Sequence, residues 1–357
     1  MQCGGNLSLR VYMRFPLLDA LRLAVCVVLV TAASGHAQDV HVRVSPEVKT
    51  GIEATNAFPT IQMAIDHHPF AGVGKDGKPG RVFIEIEPGV YHERVIITQN
   101  HPNLTLAGMG KTAQDVVITN SLNAKTAGGT FFTETVEVNG EGFQADNITF
   151  ENAAGQTGQA VAVVVRADRA IFKHCRFLGN QDTLFADYGR QYYVDSYVEG
   201  GTDFIFGNAA AVFDHSEIHA LTPGFLTAQS RTSADQSTGY VIANSRVTSS
   251  ITATGAAGSK ATTSLGRPWR PYSRVVYLNT ELAEDVSPAG WNAWGKQDNN
   301  ILAFYAEYQS SGPGARTAER VKWSHQLTAE EAKQFEPKAF LAGSDHWNAE
   351  AEAQKLP

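Results

Sequence analysis

The chain has 357 residues, of which 43% are hydrophobic and 18% are charged, and its formal net charge is −7. This composition is typical of a folded globular protein with enough apolar residues for a large core. The negative charge excludes a generally basic surface of the kind that binds nucleic acids or anionic lipids, so neither is expected as a partner.

The first segment of the chain predicts an export signal. Arg10 and Arg14 precede an apolar run over residues 21–30, and small residues follow it. This order is typical of a cleaved signal peptide, and the run is too short for a comfortable membrane span. We therefore expect residues 1–37 to be removed. Residues 38–357 would then form a single domain of a secreted protein, extracellular or periplasmic, with no membrane attachment after cleavage.

The mature chain is predicted to consist mostly of strands, with short helices at both ends. Residues 58–65 have the pattern of a short amphipathic helix that covers the start of the fold. Residues 82–86 then alternate apolar and polar side chains, as a half-buried strand does. Near the end, Thr328 and Glu331 form the capping-box pattern that begins a closing helix over the last coil.

A unit of five residues recurs between these helices. In each copy the third and fifth residues are small or apolar, and the fourth is mostly polar. On a strand, this pattern places the third and fifth side chains on one face, toward a shared core. The copies are 146–150, 173–177, 194–198, 214–218, 243–247 and 278–282. Recurring β-type units of this spacing predict an all-β fold, a parallel β-helix in which each coil packs against its neighbours.

Two other folds agree less well with these repeats. A leucine-rich horseshoe has a similar period, but the regular leucines that it needs are missing. A β-sandwich would show more two-residue Asn-Gly or Asp-Gly turns between strands. The intervals lengthen after residue 214, which predicts loop excursions such as the stretch 248–263.

Polar residues recur with the same period. The step from Gln159 to Gln181 is 22 residues, and the step from Asp182 to Asp203 is 21. On neighbouring coils, about 4.8 Å apart, two carboxylates cannot both ionise cheaply. One is expected to stay neutral and donate a proton, while the other stays charged and attacks as a nucleophile. The two glutamines would offer N–H donors to an oxyanion.

Arg267 is the candidate cation that would keep Asp203 charged. It lies 64 residues beyond Asp203, which is near three periods, so it could reach the same face. No Gly-x-Ser-x-Gly motif is present. The histidines in 215–219 lack the order of a zinc-binding HExxH helix. The residues therefore predict hydrolase chemistry by carboxylates, with no metal or organic cofactor.

Several short stretches of the sequence are distinctive in their order. They are Gly89-Val90-Tyr91-His92-Glu93, Gln159-Ala160-Val161-Ala162, Gln181-Asp182-Thr183-Leu184, Asp203-Phe204-Ile205-Phe206-Gly207, Leu265-Gly266-Arg267-Pro268-Trp269, Gly290-Trp291-Asn292-Ala293-Trp294, Glu307-Tyr308 and Gly312-Pro313-Gly314-Ala315. In this order the chain resembles the pectin methylesterase (pectinesterase) family, from about residue 58 to about residue 335.

The resemblance implies a right-handed parallel β-helix with the site in a cleft on one long face. It implies a monomeric enzyme that hydrolyses the C6 methyl esters of homogalacturonan to galacturonate carboxylates and methanol. Its partner would be the polysaccharide itself, methyl-esterified pectin. By the same resemblance, Asp203 is the nucleophile and Asp182 is the general acid and then the general base.

The resemblance also assigns the surrounding residues. Gln159 and Gln181 would stabilise the oxyanion, and Arg267 would hold and orient Asp203. Trp269 would stack on a sugar ring, and Thr130 would touch the substrate. Two tryptophans nearer the end, Trp291 and Trp294, are expected to pack the final coils. The residues that would bind substrate are thus Thr130, Gln159, Arg267 and Trp269.

The chain departs from the family pattern close to this site. Thr202 stands where valine is common, Gly200-Gly201 is unusual, and Phe185 stands where many members carry tyrosine. These departures remove no catalytic group, so they bear on subsite preference rather than on the reaction.

Four other functions remain open at this stage. A glycoside hydrolase also uses two carboxylates, about 5–5.5 Å apart in retaining enzymes, and a lyase is a second polysaccharide-active possibility. A β-helix can bind a glycan without catalysis, and an esterase can act on a different ester. Two glutamine donors and an arginine beside the nucleophile favour an acyl transition state over a glycosyl one.

Overall fold

The computed structural model describes most of the chain after the predicted signal peptide. The described residues are 38–49, 56–74, 77–252, 261–295 and 299–356. The expected signal peptide over 1–37 lies outside the described residues, so its cleavage stays a prediction. In the described ranges, every helix is too short or too polar to cross a bilayer.

Strands make up most of the regular structure. They are β1 (Val40–Val44), β2 (Ala57–Phe58), β3 (Val82–Ile86), β4 (Gly89–His92), β5 (Val95–Ile97), β6 (Leu104–Gly108), β7 (Val116–Asn120), β8 (Val136–Val138), β9 (Gln144–Asp146), β10 (Thr149–Asn152), β11 (Val163–Arg166), β12 (Ala170–Lys173), β13 (Arg176–Leu178), β14 (Leu184–Tyr188), β15 (Arg190–Val194), β16 (Tyr197–Gly207), β17 (Ala210–Asp214), β18 (Glu217–Gln229), β19 (Gly239–Ala243), β20 (Arg246–Ser249), β21 (Ser264–Gly266), β22 (Arg274–Leu278), β23 (Glu281–Leu282), β24 (Phe304–Tyr308) and β25 (His325–Gln326). The helices are α1 (Ile61–His67), α2 (Ala124–Ala127), α3 (Asn299–Leu302), α4 (Ala329–Ala332), α5 (Pro337–Leu341) and α6 (Ala349–Ala353), with short 3₁₀ turns at Ala113–Asp115, Thr130–Phe132, Thr317–Glu319 and Lys333–Phe335.

The strands form three faces of one winding. The first face is a parallel sheet in the order β2-β1-β3-β6-β9-β12-β15-β17-β19-β22-β24-β25. A second sheet bends around a corner and supplies the other two faces, because β16 and β18 run through that corner. Residues 197–200 of β16 pair with 217–220 of β18 on the second face, and residues 202–207 pair with 225–229 on the third. The predicted right-handed parallel β-helix is confirmed.

The five-residue units lie in register along the helix. The first residue of each unit pairs with the first residue of the next unit. These pairs are Asp146 with Lys173, Lys173 with Val194, Val194 with Asp214, Asp214 with Ala243, and Ala243 with Leu278. The third and fifth side chains are buried throughout, as Cys175 and Phe177 illustrate, each with 0% exposure. The alignment of repeats made from the sequence is therefore confirmed.

The prediction that each unit is a single strand is wrong at its second residue. Those residues have φ between 48° and 59°, in the left-handed region, and they turn the chain from the first face to the second. They are Asn147, His174, Asp195, His215, Asn244 and Asn279. Asn, Asp and His adopt this conformation at lower cost than other non-glycine residues. Serine hydroxyls accept hydrogen bonds from the backbone N–H groups next to these turns. The N–H of Cys175 donates to Ser196 Oγ at 3.1 Å, and the N–H of Ser196 donates to Ser216 Oγ at 3.1 Å.

A helix packs at the start of the winding, as expected, but it begins three residues later than the predicted range. Thr60 caps α1 by accepting the N–H of Met63 at 3.2 Å. The Glu93 carboxylate accepts the N–H groups of Ile61 and Gln62 at 3.0 and 3.1 Å, which suits the positive end of the helix dipole. This contact fixes α1 to the second coil.

The closing helix α4 begins after Thr328, where the capping-box pattern predicts it. The Thr328 hydroxyl accepts the N–H of Glu331, and the Glu331 carboxylate accepts the N–H of Thr328 at 2.8 Å. The next two helices turn back along the outer face of the first sheet, where Leu341 and Trp347 are buried with residues of that sheet. The closing helices therefore cover a side of the winding as well as its last coils.

Gly200 occupies a position next to the third face that has no space for a side chain. A Cβ at Gly200 would overlap the Cβ of Phe204 and would lie 2.7 Å from the carbonyl oxygen of Asn180. We expect Gly200→Ala to lower the free energy of unfolding by about 1–3 kcal/mol, measured by denaturant titration. Gly201→Ala is the matched control, because only the Thr222 hydroxyl is close to its Cβ, and the change should be small. Equal losses in both variants would contradict the packing explanation.

Candidate active site

The third face brings together the polar residues that recur in the sequence. Gln159 pairs with Gln181 in a parallel bridge, and Gln181 pairs with Thr202 in the same way. The N–H of Asp182 donates to the carbonyl of Thr202 at 3.2 Å. Asp182 and Asp203 each follow these bridged positions, so they lie on adjacent coils, whose strands are about 4.8 Å apart.

Both aspartates are buried and both have left-handed backbones. Asp182 is 9% exposed with φ of 65°, and Asp203 is 7% exposed with φ of 51°. Along β16 the pairing with β18 shifts register between Thr202 and Ile205, so Asp203 lies in an irregular segment of the strand. Backbone conformations of this kind are concentrated at functional sites, where they direct a side chain that a regular strand would aim elsewhere.

Arg267 forms a two-point ion pair with Asp203. Its Nε donates to Oδ1 at 2.9 Å and its Nη2 donates to Oδ2 at 2.6 Å. Charge-assisted pairs with this fork geometry are strong and directional. The sequence placed Arg267 near three coils from Asp203, and that is wrong by one coil. Arg267 follows β21, which pairs with β18, which pairs with β16. The excursion between β20 and β21 adds residues without adding a coil.

The environment separates the acidities of the two aspartates. Burial and, to a lesser extent, the nearby charge of Asp203 raise the pKa of Asp182 to about 8, against the opposing charge of Arg267. Burial also raises the pKa of Asp203 above its ordinary value, but the hydrogen bonds and charge of Arg267 oppose that rise. Between the two pKa values Asp182 is neutral while Asp203 is charged. The sequence attributed this difference to charge repulsion, whereas burial is the larger cause.

The side-chain amides of Gln159 and Gln181 make no hydrogen bond to any other described residue. Their backbones are fixed, because Gln159 accepts the N–H of Ala124 at 2.9 Å and Gln181 accepts the N–H of Ala160 at 3.0 Å. Two held amides with unused N–H groups can donate to a bound oxyanion.

Asn152 secures the loop that carries Gln159, and the sequence analysis missed it. Its side-chain amide is buried and donates to the carbonyls of Thr133 and Val161 at 3.0 Å each. Its carbonyl oxygen accepts the N–H of Ala154 at 3.1 Å. An asparagine at the end of a strand and before a glycine-containing loop was the available signal.

A row of aromatic rings crosses the third face beside the aspartates. Phe185 stacks on Phe206 with centroids 4.5 Å apart, and Phe131 packs on Phe185 at 5.1 Å. Trp269 lies 6.1 Å from Phe206 at the other end of the row. Thr130 begins the 3₁₀ turn that contains Phe131, so the two predicted substrate contacts lie at opposite ends of the row. Phe185 and Phe206 are buried, at 5% and 3% exposure, so the accessible rings of Phe131 and Trp269 are the ones that suit the apolar C–H faces of a sugar chain.

The expected role of Trp294 in packing the final coils is wrong. Trp291 does pack there, buried against Tyr305 at 4.7 Å. Trp294 instead places its ring over the Arg267 guanidinium, 3.7 Å from Cζ to the ring centroid. Phe225 lies over the same carbon at 3.9 Å. Because two rings cannot share one face of so small a group, the guanidinium lies between them.

A large groove lies at a different place. It has a volume of about 1130 Å³ and runs along the corner between the first and second faces, past His174, Arg176, Tyr197 and His215. It contains neither aspartate of the third face. Chemistry rather than cavity size therefore identifies the candidate site. In the described ranges, no group of three or more His, Cys, Asp or Glu residues could hold a metal ion.

Comparison with known proteins agrees with the fold. The sequence model of the family described as Pectinesterase matches residues 47–344. Pectinesterase 31 of Arabidopsis thaliana is 38% identical over 303 residues, which covers 82% of this chain and 92% of that protein. The solved pectin methylesterase from carrot is 34% identical with a TM-score of 0.78, covering 88% of this chain and 96% of the carrot chain.

A third similar protein is a pectin methylesterase solved in complex with a hexasaccharide. It is 28% identical with a TM-score of 0.68, covering 86% of this chain and 98% of that one. The fold and the matches together define a carboxylic ester hydrolase on a right-handed parallel β-helix. The chain belongs to the pectinesterase family.

Proposed function

We propose that this protein is a pectin methylesterase, which hydrolyses the C6 methyl esters of homogalacturonan to galacturonate carboxylates and methanol. Membership of the family supports the substrate class. One observation carries the reaction: a buried carboxylate held in a two-point pair by Arg267 lies one coil from a second carboxylate whose pKa is about 8.

In the first half of the proposed reaction, the charged carboxylate of Asp203 attacks the C6 carbonyl of a methyl-esterified unit. The carbonyl oxygen becomes an oxyanion, which accepts N–H groups from the amides of Gln159 and Gln181. Neutral Asp182 gives its proton to the methoxy oxygen as the C–O bond breaks. Methanol leaves, and the galacturonate acyl group remains bonded to Asp203.

In the second half, Asp182 is a carboxylate and takes a proton from a water molecule as that water attacks the acyl carbon. The bond to Asp203 breaks, and its carboxylate returns to the pair with Arg267. The product leaves as a carboxylic acid group that ionises in solution. Asp182 is again neutral, so the cycle is closed by the side chains of this chain, and no metal or organic cofactor enters the proposal.

The polysaccharide would lie along the aromatic row of the third face. Trp269 would stack on a sugar ring at one end of this row, and Thr130 would touch substrate near the other. The related structure with a bound hexasaccharide supports a sugar polymer as the ligand. We further propose that the enzyme acts as a monomer outside the cytoplasm, extracellular or periplasmic, after removal of residues 1–37.

The products from methylated pectin distinguish this function from the glycoside hydrolase and lyase alternatives. We expect methanol and new carboxylate in equal amounts, with no new reducing ends, no unsaturated products and no change in chain length. Chain shortening without methanol would contradict the proposal. A parallel assay with acetylated pectin tests the alternative of a different ester, because faster release of acetate than of methanol would assign the activity elsewhere.

A further inference from the structure

The guanidinium of Arg267 has an environment that no other described arginine shares. Its two rings lie within 4 Å of Cζ, whereas the next shortest distance between a guanidinium and a ring is 4.8 Å, for Arg270 over Trp269. Arg267 is also the cation paired with the proposed nucleophile. Two aromatic faces and a carboxylate therefore converge on one side chain.

The two rings come from separate parts of the winding. Phe225 belongs to β18 and pairs with Thr202, the residue before Asp203. Trp294 lies in a turn beyond β23, where its backbone N–H donates to the side chain of Asn292 at 2.8 Å. Phe225 is not a member of the buried core clusters, and Trp294 is only partly buried, packed against the cluster that contains Phe185 and Phe206. Their common feature is contact with the guanidinium.

We propose that Phe225 and Trp294 are positioning residues that clamp the planar guanidinium of Arg267, so that its Nε and Nη2 groups stay directed at Asp203 throughout the reaction. This inference rests on the proposed function. When Asp203 carries the acyl group its negative charge is lost, and an unclamped arginine would turn toward water. The rings hold the guanidinium in place by cation–π attraction until the carboxylate returns.

A lysine at position 267 would keep the charge but would lose the planar fork and the stacking surface. The effect of removing a ring of the clamp should therefore depend on whether residue 267 is arginine or lysine, and a double-mutant cycle measures that dependence. The variants are Phe225→Leu, Arg267→Lys and the combination of both. Each is assayed for kcat, for KM and for the pH profile of kcat on methylated pectin.

We expect Phe225→Leu to lower kcat about tenfold with little change in KM. The acid limb of its pH profile should move to higher pH, because a mobile guanidinium holds the charge of Asp203 less well. In the cycle, the loss in the double variant should be smaller than the product of the single losses by about fivefold or more. Phe225→Met, which keeps the bulk without a ring, should behave as Phe225→Leu does.

Tyr197→Leu is the matched control, because it removes a ring that lies 5.2 Å from Arg176 on a different face. It should leave the acid limb in place. Circular dichroism and thermal unfolding show whether each variant is folded. Any of three results would overturn the clamp. They are losses in kcat of the single variants that multiply in the double variant, an acid limb of Phe225→Leu that does not move, and full activity in Phe225→Met.

The result for Asp203→Asn separates the two proposals. The clamp alone is wrong if the wild-type protein releases methanol and Asp203→Asn does not, while the losses in kcat of the two single variants simply multiply in the double variant. If the wild-type protein releases no methanol from pectin, or if Asp203→Asn keeps its activity, the proposed function is wrong and the clamp fails with it.

Discussion

Asp203→Asn is expected to lower methanol release from methylated pectin by at least about a thousandfold. An amide of the same shape cannot attack the C6 carbonyl, so no acyl intermediate can form on it. The fold should persist, because the amide oxygen can still accept one N–H from Arg267 and the neighbouring coils keep their register. Methanol assay on the purified variant, with circular dichroism for the fold, provides the measurement.

Asp146→Asn is the matched control for that experiment. Asp146 is also a buried aspartate, 6% exposed, but it pairs with His174 at the corner between the first and second faces. It should keep turnover close to that of the wild-type protein. Near-normal turnover in Asp203→Asn, or an equal loss in Asp146→Asn, would refute the assignment of Asp203 as the nucleophile.

Asp182→Asn is expected to lower turnover by about a hundredfold or more, because the methoxy group then leaves without a proton donor. The wild-type enzyme should lose activity on the alkaline side as the pH rises through about 8, where Asp182 loses its proton. The variant should lack that limb. Methanol release as a function of pH measures both effects.

The same substitution should change stability in a pH-dependent direction. The pKa of Asp182 rises from 3.8 to about 8 on folding, so the folded protein keeps a proton that the unfolded chain gives up. Stability from this group is therefore present below the unfolded pKa and falls as the pH rises through the folded pKa. Asp182→Asn should raise Tm at about pH 9 more than at about pH 5. An equal change at both pH values would contradict a buried, neutral Asp182.

The winding could be predicted from the sequence because each coil repeats the same inward-facing pair of residues. Ser196 and Val198 of one coil occupy the positions of Cys175 and Phe177 of the previous one, and hydrophobic burial fixes their register. The corner was missed because alternation of side chains does not reveal the sign of φ. Asn147 reads equally well as a strand residue and as a left-handed turn.

The residues of the site could be predicted from the sequence, but their burial and their contacts with one another could not. The spacing of Asp182 and Asp203 reveals adjacency, yet the extent of their burial depends on loops from several coils. The position of Arg267 was misjudged because a long excursion lengthens the sequence without advancing the winding. Trp291 and Trp294 occur in one short motif, and only the turn between them sends one ring to the core and the other to Arg267.

The protonation of the two aspartates is the central claim, and carbon-13 NMR of protein labelled at the aspartate carboxyl carbons tests it directly. Spectra of Asp182→Asn and Asp203→Asn assign the two signals by their absence. Near neutral pH, we expect the signal of Asp182 to be that of a carboxylic acid, titrating at about pH 8, while that of Asp203 is a carboxylate. Two ionised signals at that pH, or a protonated signal that disappears in Asp203→Asn, would contradict the proposed mechanism.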